Sequence, residues 1–323
     1  MKNREDDIYI EIEFKHYLCY MRMTIISHLV KDSIIDKTGS VTFSIGGPPC
    51  YCGLTARKFG LDVLLITKFG KDFPYQDLNF LKNKGIQIKE SAKSNSLTTR
   101  FELTVKGFSR NLSLKSRCEP ITKMDLDKVS TDGWIVSPVF NEISMELLQD
   151  ITSRKNDEFI MLDPQGFTRR INSKGIVSVK KRLNDFKINK INAIKIDREE
   201  LVCLSNGLTD IQGMKKIQSQ YSINFIIYTE NRVIHLIDKN KHYWCEMRRI
   251  ESPDSTGLGD IMSSAFTSSY LKEGDVVWAF CCGIGTAIAA LKTKKTGINK
   301  IPEYKEIRQN SADIYNKIQY EQL

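Results

Sequence analysis

The sequence predicts an α/β protein built on a mainly parallel sheet covered by helices. Three observations predict it: short apolar runs recur along the chain, helix-patterned segments separate most of them, and helix start and stop signals fall in βα order. A chain of 323 residues, 41% hydrophobic and 27% charged, has the ordinary globular mixture and can bury a substantial core.

The runs that read as strands are Met23 to Ser27, Val63 to Thr67, Trp134 to Val139, Phe159 to Asp163, Ile191 to Ile196 and Ile223 to Tyr228. Between them, Gly60 closes a helix over Leu54 to Phe59, and Thr209-x-x-Gln212 has the spacing of a capping box opening a helix that ends near Tyr221. Two stretches break the rhythm. Residues 37–45 and 97–116 read as inserted strands, the second as a hairpin turning near Lys106-Gly107, and together they predict a flap over the sheet's carboxyl edge, where such folds bind ligands. Residues 1–20 differ in character. Ile8, Ile10, Ile12 and Phe14 alternate with Tyr9, Glu11 and Glu13 like an extra edge strand, while Met21 and Met23 before a fresh apolar run fit an upstream start equally well. Residues 21–323 read as one domain, with neither an internal repeat nor a Pro- or Gly/Ser-rich linker to divide them.

Composition excludes several classes. No run reaches the roughly 18 to 20 apolar residues of a membrane helix, and the N-terminal segment lacks a signal-peptide core, which points to a cytoplasmic protein. The formal charge of +9 is spread in short runs such as Lys180-Lys181-Arg182, without interleaved aromatics, so no nucleic-acid partner is expected. The eight cysteines include Cys50/Cys52 and Cys281/Cys282, too close for a disulfide framework and without zinc-ligand spacing; reduced thiols are expected.

Chemistry concentrates in Asp254-Ser255-Thr256-Gly257-Leu258-Gly259-Asp260, a glycine turn running into a helix over Ile261 to Leu271. Such a turn leaves backbone N–H groups pointing outward at the positive end of the helix dipole, a site for phosphate. Asp260 at its mouth reads either as a helix cap or as a general base that takes a hydroxyl proton. The whole run resembles the C-terminal signature of the ribokinase-like (PfkB) carbohydrate kinases, usually DTxGAGD, with Ser255 and Leu258 as the departures. The N-terminal glycine-pair region of that family is matched by Gly46-Gly47, the helix ending Ala56-Arg57-Lys58-Phe59-Gly60, and Gly70-Lys71-Asp72.

The resemblance spans roughly Met21 to the C-terminus and implies a three-layer, Rossmann-like domain with a small β-sheet lid. It implies ATP-dependent phosphorylation of a hydroxyl on a small sugar or polyol, with Mg²⁺. Asp260 would be the general base; Gly257, Leu258 and Gly259 would form the anion hole. Asp32, Gly46, Gly47 and Tyr51 would bind substrate. The family's Asn-x-x-Glu element falls at Asp197-Arg198-Glu199-Glu200, so Asp197 and Glu200 would serve the donor, with Glu200 reaching metal through water. The usual Gly-x-x-Gly nucleotide loop aligns with Thr229-Glu230-Asn231-Arg232; Thr229 and Arg232 would contact donor although both glycines are gone. Pro48-Pro49-Cys50-Tyr51 after the glycine pair departs from ribose-phosphorylating members. A nucleoside kinase, with Tyr51 or Phe43 stacking on the base, and a catalytically silent nucleotide- or sugar-binding protein are the alternatives. A homodimer through the lid is a further implication of the family. Cys281 to Ala290 reads as a close-packing helix and borders adenine in the family; Asp163-Pro164 and Asn141-Glu142 read as strand-end residues lining the substrate site.

Overall fold

The computed structural model describes residues 21–35, 38–106, 109–154, 157–183 and 185–323. The edge strand expected within residues 1–20 and the hairpin tip at Gly107 lie outside them. The described residues form a ten-stranded sheet, a four-stranded sheet and a two-stranded ribbon.

The large sheet runs in the order Gln319–Gln322, Lys241–Glu246, Val233–Asp238, Phe225–Glu230, Ala193–Asp197, Phe159–Leu162, Gly133–Val136, Arg22–Ile26, Asp62–Ile66, Ile86–Ile88. Every pairing from Phe225–Glu230 to Ile86–Ile88 is parallel, and the three strands at the other end add on antiparallel. Alternation along the parallel strands sends Met23, Ile25, Ile135 and Met161 to one face and Ile26, Trp134, Val136 and Leu162 to the other. Helices Pro48–Lys58, Leu258–Glu273 and Val276–Lys292 cover the first face; Met145–Thr152, Arg198–Leu204 and Asp210–Tyr221 cover the second. This is the expected three-layer α/β fold. Because the strands following Arg22–Ile26 go to one side and Gly133–Val136 lies on its other side, strand order reverses there, leaving a crevice at the carboxyl ends.

The four-stranded lid has the order Val41–Gly46, Val30–Ile35, Thr99–Lys106, Ser109–Ser116. Val30–Ile35 is a strand that the sequence reading missed; it carries Asp32 on a polar-rich segment, Lys31-Asp32-Ser33, with little apolar signal. Asp72 ties the lid down: its Oδ1 accepts from Thr98 N at 2.7 Å and Thr98 Oγ1 at 2.8 Å, and Oδ2 pairs with Lys31 at 3.2 Å.

The capping box expected at Thr209 and Gln212 does not form. Thr209 Oγ1 donates to Asp210 Oδ2 instead, and Asp210 enters its helix at φ 54°, so the Thr209 hydroxyl caps no helical N–H. A capping box does form at Asp197 and Glu200, where each carboxylate accepts from the other's backbone N–H at 2.9 Å. The described cysteines, Cys50, Cys52, Cys118, Cys203, Cys245, Cys281 and Cys282, are free and buried. No helix among the described residues is long and apolar enough to cross a membrane.

Candidate active site

Gly257 has φ 75°, the left-handed region that glycine enters without strain, and it caps helix Leu258–Glu273. A Cβ there would sit 2.5 Å from Tyr51 Cδ2, so the aromatic ring and the turn are packed as closely as a missing side chain allows. The first N–H groups of the helix have no partner within it and open toward the crevice. Leu258 folds back onto Tyr51, Ile261 and Ala290, filling the position where the family signature has alanine.

Asp260 stands in the first turn of that helix, partly shielded from solvent. Its carboxyl is pushed up to about 7, first by burial and then by Asp163, with Lys195 and Arg169 pulling the other way. Asp260, Asp32, Gly47, Tyr51 and Gly257 line one cavity of about 170 Å³, together with Arg169, Gln165 and Phe101. Asp32 is also raised to about 7 by burial, which outweighs the attraction of Arg169. At Gly46 a Cβ would collide with the Asp32 carboxylate, so the absence of a side chain there makes room for this acid. The cavity thus holds two carboxyls and one guanidinium. Arg169 donates to Val139 O at 2.8 Å and to Gln165 Oε1 at 2.6 Å, and it lies 5.8 Å over the Phe101 ring, which aims it inward.

Lys195 is the second cation. Its Nζ lies 3.1 Å from Asp163 Oδ2, and a Cβ on Gly259 would come within 2.9 Å of it, so the ammonium borders the anion turn directly. Burial opposes its charge, but Asp163, Glu200, Asp197 and Asp260 more than offset this and hold it firmly protonated. Neither Arg169 nor Lys195 was singled out from sequence. Lys195 did carry a signal, as a charge set between Ile194 and Ile196 in the strand Ala193–Asp197.

The expected donor residues divide. Asp197 is exposed at its strand end and is the register partner of Thr229 on the neighbouring strand. Glu200 is 4% exposed, and burial followed by the proximity of Asp163 raises its carboxyl. Arg232 sits on the tight turn between Phe225–Glu230 and Val233–Asp238, 3.7 Å from Glu246, while Glu230 takes Arg198 at 3.1 Å and the Tyr228 hydroxyl at 2.9 Å. Asn141-Glu142 does not line the cavity. Glu142 has no exposed surface, and its carboxylate accepts from the backbone N–H groups of Val139 at 2.6 Å and Phe140 at 2.7 Å, bracing two loops. Asp163 is 2% exposed and acts through Lys195.

For a divalent cation, no group of three or more His, Cys, Asp or Glu gathers among the described residues to hold one directly. An exposed Asp197 beside a buried, internally bonded Glu200 fits a Mg²⁺ ligated mainly by donor phosphate and water, which is how that ion commonly binds.

The fold has many solved counterparts. It is similar to a pyrophosphate-dependent kinase of the ribokinase family solved with sulfate (TM-score 0.76, 20% identity, 88% of this chain and 99% of that one). It is also similar to a pyrophosphate-dependent myo-inositol-1 kinase (0.75, 22%, 91% and 99%) and to Arabidopsis thaliana ribokinase complexed with ribose and ATP (0.69, 13%, 90% and 99%). No curated protein matches the sequence. The chain belongs to the pfkB family of carbohydrate kinases, whose pattern matches residues 18–303.

Proposed function

We propose that this protein transfers a phosphoryl group from a phosphoanhydride donor to a hydroxyl of a small sugar or polyol, with Asp260 as general base. The observation that carries the reading is the placement of Asp260, with a carboxyl near 7, in one 170 Å³ cavity with Asp32 and Arg169 and in the first turn of the helix whose N-terminus forms the anion site. Asp32 accepts from acceptor hydroxyls and Arg169 donates to one, fixing which oxygen faces Asp260. That hydroxyl gives its proton to Asp260 as it attacks the terminal phosphorus, while the N–H groups of the Gly257–Gly259 turn and the Lys195 ammonium stabilise charge on the transferring group. A bound Mg²⁺ would neutralise donor phosphate charge near Asp197.

The family resemblance implies ATP as donor. Pyrophosphate is the second reading, and one observation favours it: the charged residues of the Thr229–Arg232 loop are engaged with Arg198, Tyr228 and Glu246, whereas the phosphate end of the site is intact. A nucleoside acceptor is disfavoured by a cavity smaller than the roughly 300–1,000 Å³ of drug-sized sites, and by Tyr51, which is 2% exposed and packed on Gly257 rather than presenting a face for stacking.

The test is incubation of purified protein and Mg²⁺ with ATP or pyrophosphate and a panel of polyols, sugars and nucleosides. Release of ADP or orthophosphate is followed with detection of the phosphorylated product. A polyol or sugar phosphate is expected. Donor binding without product across the whole panel would instead indicate a silent binding protein.

A further inference from the structure

A second cleft, of about 470 Å³, opens outside the active site, where the C-terminal ends of helices Pro48–Lys58 and Tyr75–Asn83 meet the segment running from Lys295 to Glu303. Arg57, Lys58, Lys84 and Lys295 line it against one acid, Glu303. Leu54, Phe80, Ile298 and Ile301 give it an apolar wall. None of its lining residues lines the substrate cavity, although Ile298 and Ile301 pack against Tyr51, which does.

Two of the four cations are already neutralised in place. Arg57 donates to Leu61 O at 2.7 Å and pairs with Asp62 at 3.3 Å, and Lys58 pairs with Glu303 at 2.5 Å. The Glu303 carboxylate is committed twice over, because it also caps helix Tyr304–Tyr315. Lys58 first, then Lys84 and Lys295, hold that carboxyl below its ordinary value, which places both remaining ammoniums around the same acid. Lys84 lies 5.6 Å over the ring of Phe80, on the cleft wall. Neither it nor Lys295 has a side-chain hydrogen bond or ion pair among the described residues. The helix C-termini, each equivalent to about half a negative charge, offset this pair of charges only in part. A solvated basic face would spread its lysines over a convex surface. Here they rim a concave site with an apolar wall, within the roughly 300–1,000 Å³ of small-molecule sites and too large for a bare inorganic ion.

We propose that this cleft binds a small phosphate monoester with an apolar body, its phosphate between Lys84 and Lys295 and its body against Phe80, Leu54 and Ile298. At neutral pH such a phosphate carries about −1.5 to −2 charges, which two otherwise unpaired ammoniums match. The site is separate from the phosphoryl-transfer site and does not depend on that reading.

The experiment is titration calorimetry with phenyl phosphate at pH 7.5. Wild type is expected to bind with a Kd of roughly 1 mM or tighter, and orthophosphate at least about fivefold more weakly because it leaves the apolar wall unused. Lys84→Gln/Lys295→Gln, two exposed positions whose replacement should leave the melting temperature unchanged, should weaken phenyl phosphate at least roughly tenfold. Gly257→Ala, which disturbs the anion turn of the active site, should bind it within about twofold of wild type. No heat of binding at millimolar phenyl phosphate would overturn the proposal, as would wild-type affinity in the double lysine variant. Loss of binding in Gly257→Ala would assign the anion to the active-site turn and overturn it equally, and equal affinities for phenyl phosphate and orthophosphate would overturn the apolar half of the assignment. None of these readings needs turnover, so failure of the kinase reading and failure of this one are distinguishable.

Discussion

Asp260 and Asp32 are two acids that their surroundings hold near 7 inside one cavity, and both facts have consequences at the residue level. Asp260→Asn keeps size and polarity and removes the base, so kcat should fall by roughly 10²–10⁴ with folding unchanged; full activity in steady-state assays would exclude the mechanism. In wild type the base must be ionised, so kcat/KM should rise with pH and level off above about 7, close to ten-fold per unit on the acid side. Stability runs the other way. A carboxyl whose folded pKa is raised binds its proton more tightly folded than unfolded, so its contribution is fully present below about 4 and lost as pH climbs through about 7. The Asn variant carries no such cost, so its melting temperature should exceed that of wild type at pH 8, and the gap should close by pH 4.

Among the elements, the helix Leu258–Glu273 with its glycine turn was readable in the sequence, and for a local reason. Gly257, Gly259 and Asp260 are contiguous, and their conformational chemistry is carried by the residues themselves. Lys195 and Arg169 enter the same site from two other segments: Lys195 shows in sequence only as a charge between Ile194 and Ile196, and Arg169 adjoins Arg170 like a surface pair. The Thr209 box failed because spacing predicts a cap only when the residue after it is helical, and Asp210 is left-handed. The turn itself makes a sharp test when two glycines of similar φ are compared. Gly257→Ala forces a Cβ against Tyr51 at φ 75°, strain on the order of 1–3 kcal/mol that displaces the N–H groups; kcat should fall at least roughly tenfold. Gly60→Ala, at φ 80° with open space around it, should cost about 1 kcal/mol in denaturant unfolding and leave kcat unchanged. Equal kcat losses in the two variants would mean that strain, not placement of the turn, is being measured.

At the scale of the whole molecule, the sheet's alternating apolar runs made the three layers legible, whereas the lid was only half visible because Lys31, Asp32 and Ser33 interrupt the apolar pattern of Val30–Ile35. That polar strand carries Asp32, and it joins the large sheet through Asp72, which takes Thr98 from one lid strand's approach and Lys31 from the other. Asp72, set in the loop after Asp62–Ile66, is thus one tether of the lid, beside the bond between His28 Nδ1 and Thr99 Oγ1 at 2.8 Å and that from Leu114 N to Gly175 O at 2.9 Å. Asp72→Ala should loosen the lid without touching the reacting atoms or the sheet. Since Asp32 rides on the lid and Asp260 does not, the expected signature is asymmetric: acceptor KM rises roughly tenfold while kcat changes by less than about threefold. A lid that closes poorly also admits water to the donor, so hydrolysis without acceptor should increase relative to productive transfer. Parallel measurement of donor hydrolysis and product formation in Asp72→Ala checks both, and a loss confined to kcat with acceptor KM unmoved would place Asp72 in the chemistry rather than in the lid.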